Sequence, residues 1–203
     1  MLHRQPYPSL TCSGTGFCVI AAVFTLLLPL LQFFHDELLY QRDQIAAGEI
    51  WRLLSGQLVH TNAWHVLLNI AGLWILALFQ PQAYPHRYYW LQIMWLASNV
   101  AAGLWYLQPQ LQWYAGFSGI LYGLFLLNGI AWLQQRDWLT AAVLLLGVCG
   151  KTVWDWQVGA AYSPTAALIN APVVYAAHLY GMTGGLLWAM GQWWSKRWHS
   201  RKS

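Results

Sequence analysis

The feature that most restricts this chain is Phe17–Phe34, FCVIAAVFTLLLPLLQFF, an apolar run without a single charge. Wound into a helix it reaches about 27 Å, close to the roughly 30 Å hydrocarbon core of a bilayer. Further apolar runs follow at Asn62–Phe79, Tyr88–Leu107, Ser118–Leu133, Trp138–Trp156 and Ala171–Trp193. Pro81 and Pro85, Pro109, the Gln134–Asp137 cluster and Ser163-Pro164 divide them. Lipid offers a peptide group no partner, so segments of this kind must close their own hydrogen bonds as helices. The expected fold is an all-α integral membrane bundle of six helices in one domain, residues 1–203, with short cytoplasmic tails at about 1–16 and 195–203.

Charge supports the same class. Only 8% of residues are charged, against about a quarter in soluble domains. The formal charge of +4 does not indicate nucleic acid, because the basic residues are scattered except for Lys196, Arg197, Arg201 and Lys202 behind the last apolar run. That placement suits a topology signal or an anionic lipid surface. Trp51, Trp90, Trp113, Trp138, Trp193, Trp194 and Trp198 lie near span ends, the level that amphipathic rings favour. The first run is long for a signal peptide and no small-x-small site follows it, so it reads as a retained helix, with Pro29 as its kink. Cys12, Cys18 and Cys149 lack the spacing of a metal cage and read as buried free thiols.

Lys and Arg counts set the orientation. With the N-terminus inside, inner segments carry Arg4, Arg87, Arg136, Lys196, Arg197, Arg201 and Lys202, and outer ones Arg42, Arg52 and Lys151. Both termini are then cytoplasmic. The polar stretch His35–His60 falls at the outer interface, with Glu49 and Arg52 as a solvated or interfacial ion pair that shapes the loop.

The fourth run is too short to span the core, so its first residue, Ser118, is expected below the outer surface, on the floor of a wet pocket. Polar groups within the runs are few: His65, Asn69, Asn99, Asn128, Asp155 and His178. Each is costly in lipid and needs a partner or a purpose. His65 and Asn69, four apart, share a helical face and could donate to one point. His178, placed two turns into the sixth run at roughly 10 Å, matches the depth of Ser118. A serine attacks when a base takes its proton, and the oxyanion then needs donors. Ser118 as nucleophile, His178 as base and acid, and the Ser118 N–H with His65 and Asn69 as oxyanion donors make a complete set. Without an acidic orienter at that depth a dyad is expected, with Tyr122 steadying the imidazole by ring contact. Gly119 and Gly123 face Gly181 and Gly185 as small-residue stripes that permit close helix approach. Asn128 is expected to hydrogen-bond between helices and Asp155 to be a hydrated end residue near Lys151. A metal site from His60, His65 and His178 requires His60 to precede the helix, because helical residues five apart point about 140° from each other, and no carboxylate or thiol joins the three.

These residues resemble a known family. Gly116-Phe117-Ser118-Gly119, followed by Tyr122-Gly123, is similar to the GxSG motif of rhomboid intramembrane serine proteases, and Ala177-His178-xx-Gly181-xxx-Gly185 to their last-helix histidine motif. His60, His65 and Asn69 match their HxxxxHxxxN pattern, and Glu49-Ile50-Trp51-Arg52 the interface segment before it. The resemblance covers about residues 49–190. It implies a six-helix bundle and a Ser118–His178 dyad. It also implies oxyanion donors at His65 and Asn69, with His60, Gly116, Gly119, Gly181 and Gly185 in support.

Lys151-xx-Trp154-Asp155 and Val173–Gly181 resemble the rhombosortase branch, associated with proteins that carry a C-terminal Gly-Gly motif, an apolar span and a basic end. The expected partners are transmembrane protein substrates and the lipid bilayer. No nucleic acid, metal or cofactor is expected, and no oligomer is implied. The expected location is a bacterial inner membrane, with the active site opening to the periplasm. The alternative is a non-catalytic rhomboid-like binder of membrane helices, whose usual mark is loss of the serine or the histidine.

Overall fold

The computed structural model describes residues 15–81 and 89–200. Arg4, Cys12, Pro85, Arg87, Tyr88, Arg201 and Lys202 lie outside the described residues. The chain runs α1 (Thr15–Leu31), a 3-10 turn (Gln32–Phe34), α2 (His35–Leu38), β1 (Tyr40–Gln41), α3 (Arg42–Ala46), α4 (Arg52–Ser55), α5 (Ala63–Leu78), α6 (Tyr89–Leu107), β2 (Trp113–Tyr114), α7 (Ser118–Gln134), α8 (Trp138–Val158), α9 (Pro164–Ile169) and α10 (Tyr175–Ser200). Among the described residues two stretches, Gly16–Leu38 and Trp138–Val158, are long and apolar enough to cross a membrane; Ala63–Leu78 and Ser118–Gln134 are shorter apolar helices.

Local chemistry fixes several helix ends. Asn62 caps α5 by accepting from the His65 N–H, Asp137 caps α8 from Thr140, and Ser163 caps α9 from Ala166, ahead of Pro164 in the first turn. α9 ends at Asn170 in the left-handed conformation.

The sixth expected span is corrected at both ends. α10 begins at Tyr175 instead of Ala171, because Pro172 follows the Asn170 turn and disfavours a helical start there. It then continues to Ser200, where Arg197 lies 4.1 Å over the Trp193 ring one turn back. His178 is therefore in the first turn of α10, not two turns in.

The core is built around α7. Phe117, Ile120, Leu124 and Leu127 pack with Phe24, Leu73, Leu76, Tyr89 and Leu96. Many large apolar side chains point outward instead, among them Leu26, Leu78, Leu139, Leu146 and Met190, and all seven tryptophans expected at span ends are exposed. Such a surface suits lipid. α7 packs most extensively on α10, where a Cβ at Gly181 would overlap the Gly119 carbonyl oxygen and a Cβ at Gly123 would come within 2.6 Å of the Gly181 carbonyl. The two backbones touch.

The connections around residues 35–60 and 108–117 are ordered by buried polar groups. β1 pairs antiparallel with β2, Tyr40 opposite Tyr114. Arg42 donates to the carbonyls of Leu104, Trp105, Gln108 and Leu111, satisfying the end of α6. Arg52 pairs with Glu49 but is only 7% exposed, and also donates to the carbonyls of Asp36 and Leu39. Arg52 of the expected solvated or interfacial pair is thus buried, while the Glu49 side chain stays 33% exposed. Asn128 exchanges hydrogen bonds with Gln80 between α7 and the end of α5. Asn99 instead bonds its own helix at Trp95. Cys149 is free but exposed, and Cys18 is disulfide-bonded, so neither is the buried thiol expected.

Substituting Gly181 by Val should destabilise the bundle by about 3 kcal/mol or more, since the overlap is with backbone that cannot rotate aside. Unfolding in mixed micelles measures this, and an unchanged stability contradicts the crossing.

Candidate active site

Ser118 is the first residue of α7. The preceding loop reaches it through Gly116, whose φ of +129° suits glycine and whose Cβ would sit 2.8 Å from the His65 ring. The Gly116 N–H donates to Gly56 and its carbonyl accepts from the Tyr114 hydroxyl at 2.8 Å. The turn is thus held from both sides. Because α7 and α10 touch, His178 Nε2 comes 3.0 Å from Ser118 Oγ. The Tyr122 ring stacks on the imidazole at 3.8 Å and 6°. His178 Nδ1 is buried with no partner among the described residues, so no third residue orients the ring by a hydrogen bond.

These groups line a cavity of about 230 Å³ that also holds Thr61, His65, Asn69, Gly72, Trp113, Tyr114, Leu121, Phe125, Lys151, Asp155 and the 171–174 segment. A hydroxyl bonded to a bare imidazole nitrogen can pass its proton there and become nucleophilic. The Ser118 N–H, at the start of α7, has no intrahelical acceptor and can serve an anion, whereas the Ile120 and Leu121 N–H groups bond the Phe117 carbonyl.

His65 and Asn69 reach the cavity, but neither simply aims a donor into it. Asn69 Nδ2 donates to the His65 carbonyl at 3.0 Å, leaving one amide hydrogen. The Thr61 hydroxyl donates its only proton to the Ile169 carbonyl at 2.7 Å and lies 3.1 Å from His65 Nδ1. Thr61 must therefore accept from Nδ1–H, which leaves neutral His65 with a bare Nε2 near Gly116. No local pattern signals this, because Thr61 and Ile169 are 108 residues apart.

Asp155 is a correction. Expected as a hydrated end residue, it is 0% exposed, lines the cavity and pairs with Lys151, because α8 turns this face toward α7. Two ionisable groups four apart inside an apolar run were the available signal. Gly119, Gly181 and Gly185 all lie at the α7–α10 contact, Gly185 with a Cβ position 2.9 Å from the Gly123 carbonyl. Among the described residues no three His, Cys, Asp or Glu are grouped to hold a metal.

A model of the Rhomboid domain matches residues 47–195, most of the sequence. The chain belongs to the rhomboid family. Rhomboids are intramembrane serine proteases, and membership makes this an all-α, multi-pass membrane protein of a protease family. No curated protein and no solved structure matches the chain.

His60 of this rhomboid chain lies just ahead of α5 and does not meet Ser118. It was expected at a hydrated interface but is 3% exposed, its ring edge-on to His65 at 4.8 Å and its N–H held by Gln32. Burial, aided by the neighbouring His65 and His35, pushes its pKa down from 6.5 to about 3. The unfolded chain thus takes up a proton that the folded one refuses, so this contribution to stability is complete above 6.5 and declines as pH falls toward 3. His60→Gln should flatten the loss of stability between pH 7 and 4; an identical pH slope in both proteins would count against the buried neutral ring.

Proposed function

We propose that this rhomboid is an intramembrane endopeptidase that cuts membrane-anchored proteins at or near their spans with a dyad of Ser118 and His178. The observation that carries the reading is the 3.0 Å contact between Ser118 Oγ and His178 Nε2 inside the cavity. His178 takes the serine proton as the hydroxyl attacks the carbonyl, returns it to the departing amine, and activates water to release the acyl enzyme. The Ser118 N–H and the second amide hydrogen of Asn69 hold the oxyanion. His65 joins them once its proton moves to Nε2, which requires Thr61 to release Nδ1. Tyr122 keeps the imidazole plane fixed by stacking.

In this reading six helices, α1, α5, α6, α7, α8 and α10, cross a bacterial inner membrane with both termini cytoplasmic and the cavity open to the periplasm. The rhombosortase resemblance of Lys151-xx-Trp154-Asp155 and Val173–Gly181 favours substrates with a C-terminal Gly-Gly motif before an apolar span. Glycines also unwind a helix readily, and a peptide bond must leave its helix before a serine can reach it. The alternative, a non-catalytic binder of membrane helices, is disfavoured because serine and histidine are both present and in contact.

Purified protein in detergent should cleave a membrane-anchored substrate, and Ser118→Ala or His178→Ala should abolish cleavage with unchanged thermal unfolding. Activity persisting in either variant removes the dyad. Asn69→Ala and His65→Ala should each lower turnover by about one to three powers of ten, the usual loss for one oxyanion donor. Tyr122→Phe should keep most of the rate and Tyr122→Leu lose it, because the ring and not the hydroxyl meets His178; equal rates in the two would count against the stack.

A further inference from the structure

Lys151 and Asp155 sit one turn apart on α8 and both line the cavity that holds Ser118 and His178. Asp155 Oδ1 accepts from the Lys151 ammonium, while Oδ2 is buried without a partner among the described residues. Asp155 is sealed, at 0% exposed, whereas the Lys151 side chain is 40% exposed. Asp155 takes one of the three ammonium donors, so the others remain available on the cavity wall. Lys151, Asp155, Tyr122 and His178 all line the same cavity. The pair stands beside the reacting groups.

Stability does not account for it. An ion pair withdrawn from water seldom repays its desolvation, and apolar residues of similar size would pack the same place at least as well. Apart from this pair, the cavity wall holds no lysine, arginine or carboxylate among the described residues. A peptide unwound for cleavage brings carbonyl groups into that space without water to satisfy them, and each needs a donor.

We propose that Lys151 recognises substrate, donating charge-assisted hydrogen bonds to a carbonyl or carboxylate oxygen of the segment lying across Ser118. Asp155 is a positioning residue: it holds the ammonium toward the cavity and acts only through it. This inference rests on the peptidase reading, and goes further by assigning a recognition group and the chemistry it reads.

The test uses full-length protein in detergent and a labelled synthetic peptide with a Gly-Gly pair, an apolar span and a basic end, made with either Glu or Gln beside the glycines. Binding is measured in the Ser118→Ala background, so that it does not depend on turnover. Lys151→Met should weaken binding about 10-fold, the scale of one hydrogen bond to a charged group, and Lys151→Arg should restore most of it. Asp155→Asn should weaken binding alone but add little to Lys151→Met, as expected for groups that act as a unit. Tighter binding of the Glu peptide, lost in Lys151→Met, identifies a carboxylate; equal weakening of both peptides identifies a main-chain carbonyl. In the active enzyme Lys151→Met should raise KM and leave kcat within about threefold.

Thermal unfolding checks each variant, and Lys151→Gln replaces Lys151→Met if the latter does not fold. Binding unaffected by Lys151→Met, full additivity with Asp155→Asn, a loss confined to kcat, or no binding of either peptide overturns the proposal. Lys151-dependent binding without cleavage by the parent enzyme would instead overturn the peptidase reading and leave the recognition site standing.

Discussion

Backbone contact between α7 and α10 is the constraint from which the rest of the site follows. Gly119 and Gly123 lie against Gly181 and Gly185 so closely that added Cβ atoms would meet carbonyl oxygens. Lipid tails are as apolar as leucine, so helices in a membrane gain little by hiding side chains from water, and close van der Waals approach takes over that role. Ser118 lies one residue before Gly119 and His178 three before Gly181. Once the glycines meet, the hydroxyl and imidazole at the same ends of their helices have little choice but to meet as well.

A second requirement concerns the irregular backbone around that meeting point. The loop from Gln108 to Phe117 exposes peptide groups that need partners if the site lies below the surface. They find them in Arg42, in the β1–β2 pair, in the Gly56 carbonyl and in the Tyr114 hydroxyl. Arg52 does the same for the 36–39 turn on the neighbouring side. Arg42 and Arg52 of the 35–60 connection are therefore directed at carbonyls, while Asp36, Glu37 and Asp43 stay exposed, and the two arginines tie down a segment whose composition looks merely polar.

Much of the architecture was legible beforehand. Five of the six long helices fall within a few residues of the apolar runs, because run length and caps such as Asn62 and Asp137 are local properties. The start of α10 was missed, since the composition of residues 171–174 is as apolar as the helix that follows and only Asn170 and Pro172 mark the break. The buried state of Asp155, His60 and Arg52 was also missed. Position near a span end suggests water, yet whether water reaches a side chain depends on what another element places above it.

The sequence by itself determined that the chain is a membrane bundle and that serine, histidine and paired glycines recur at spacings shared with rhomboids, because hydrophobic length and motif spacing are read within one segment. Only the tertiary structure decided that Ser118 and His178, sixty residues apart, are in contact, that Thr61 holds the His65 proton on Nδ1, and that Lys151 and Asp155 face the same cavity. Those facts depend on which helix faces which and at what depth, and that is set by packing between segments that no local pattern records.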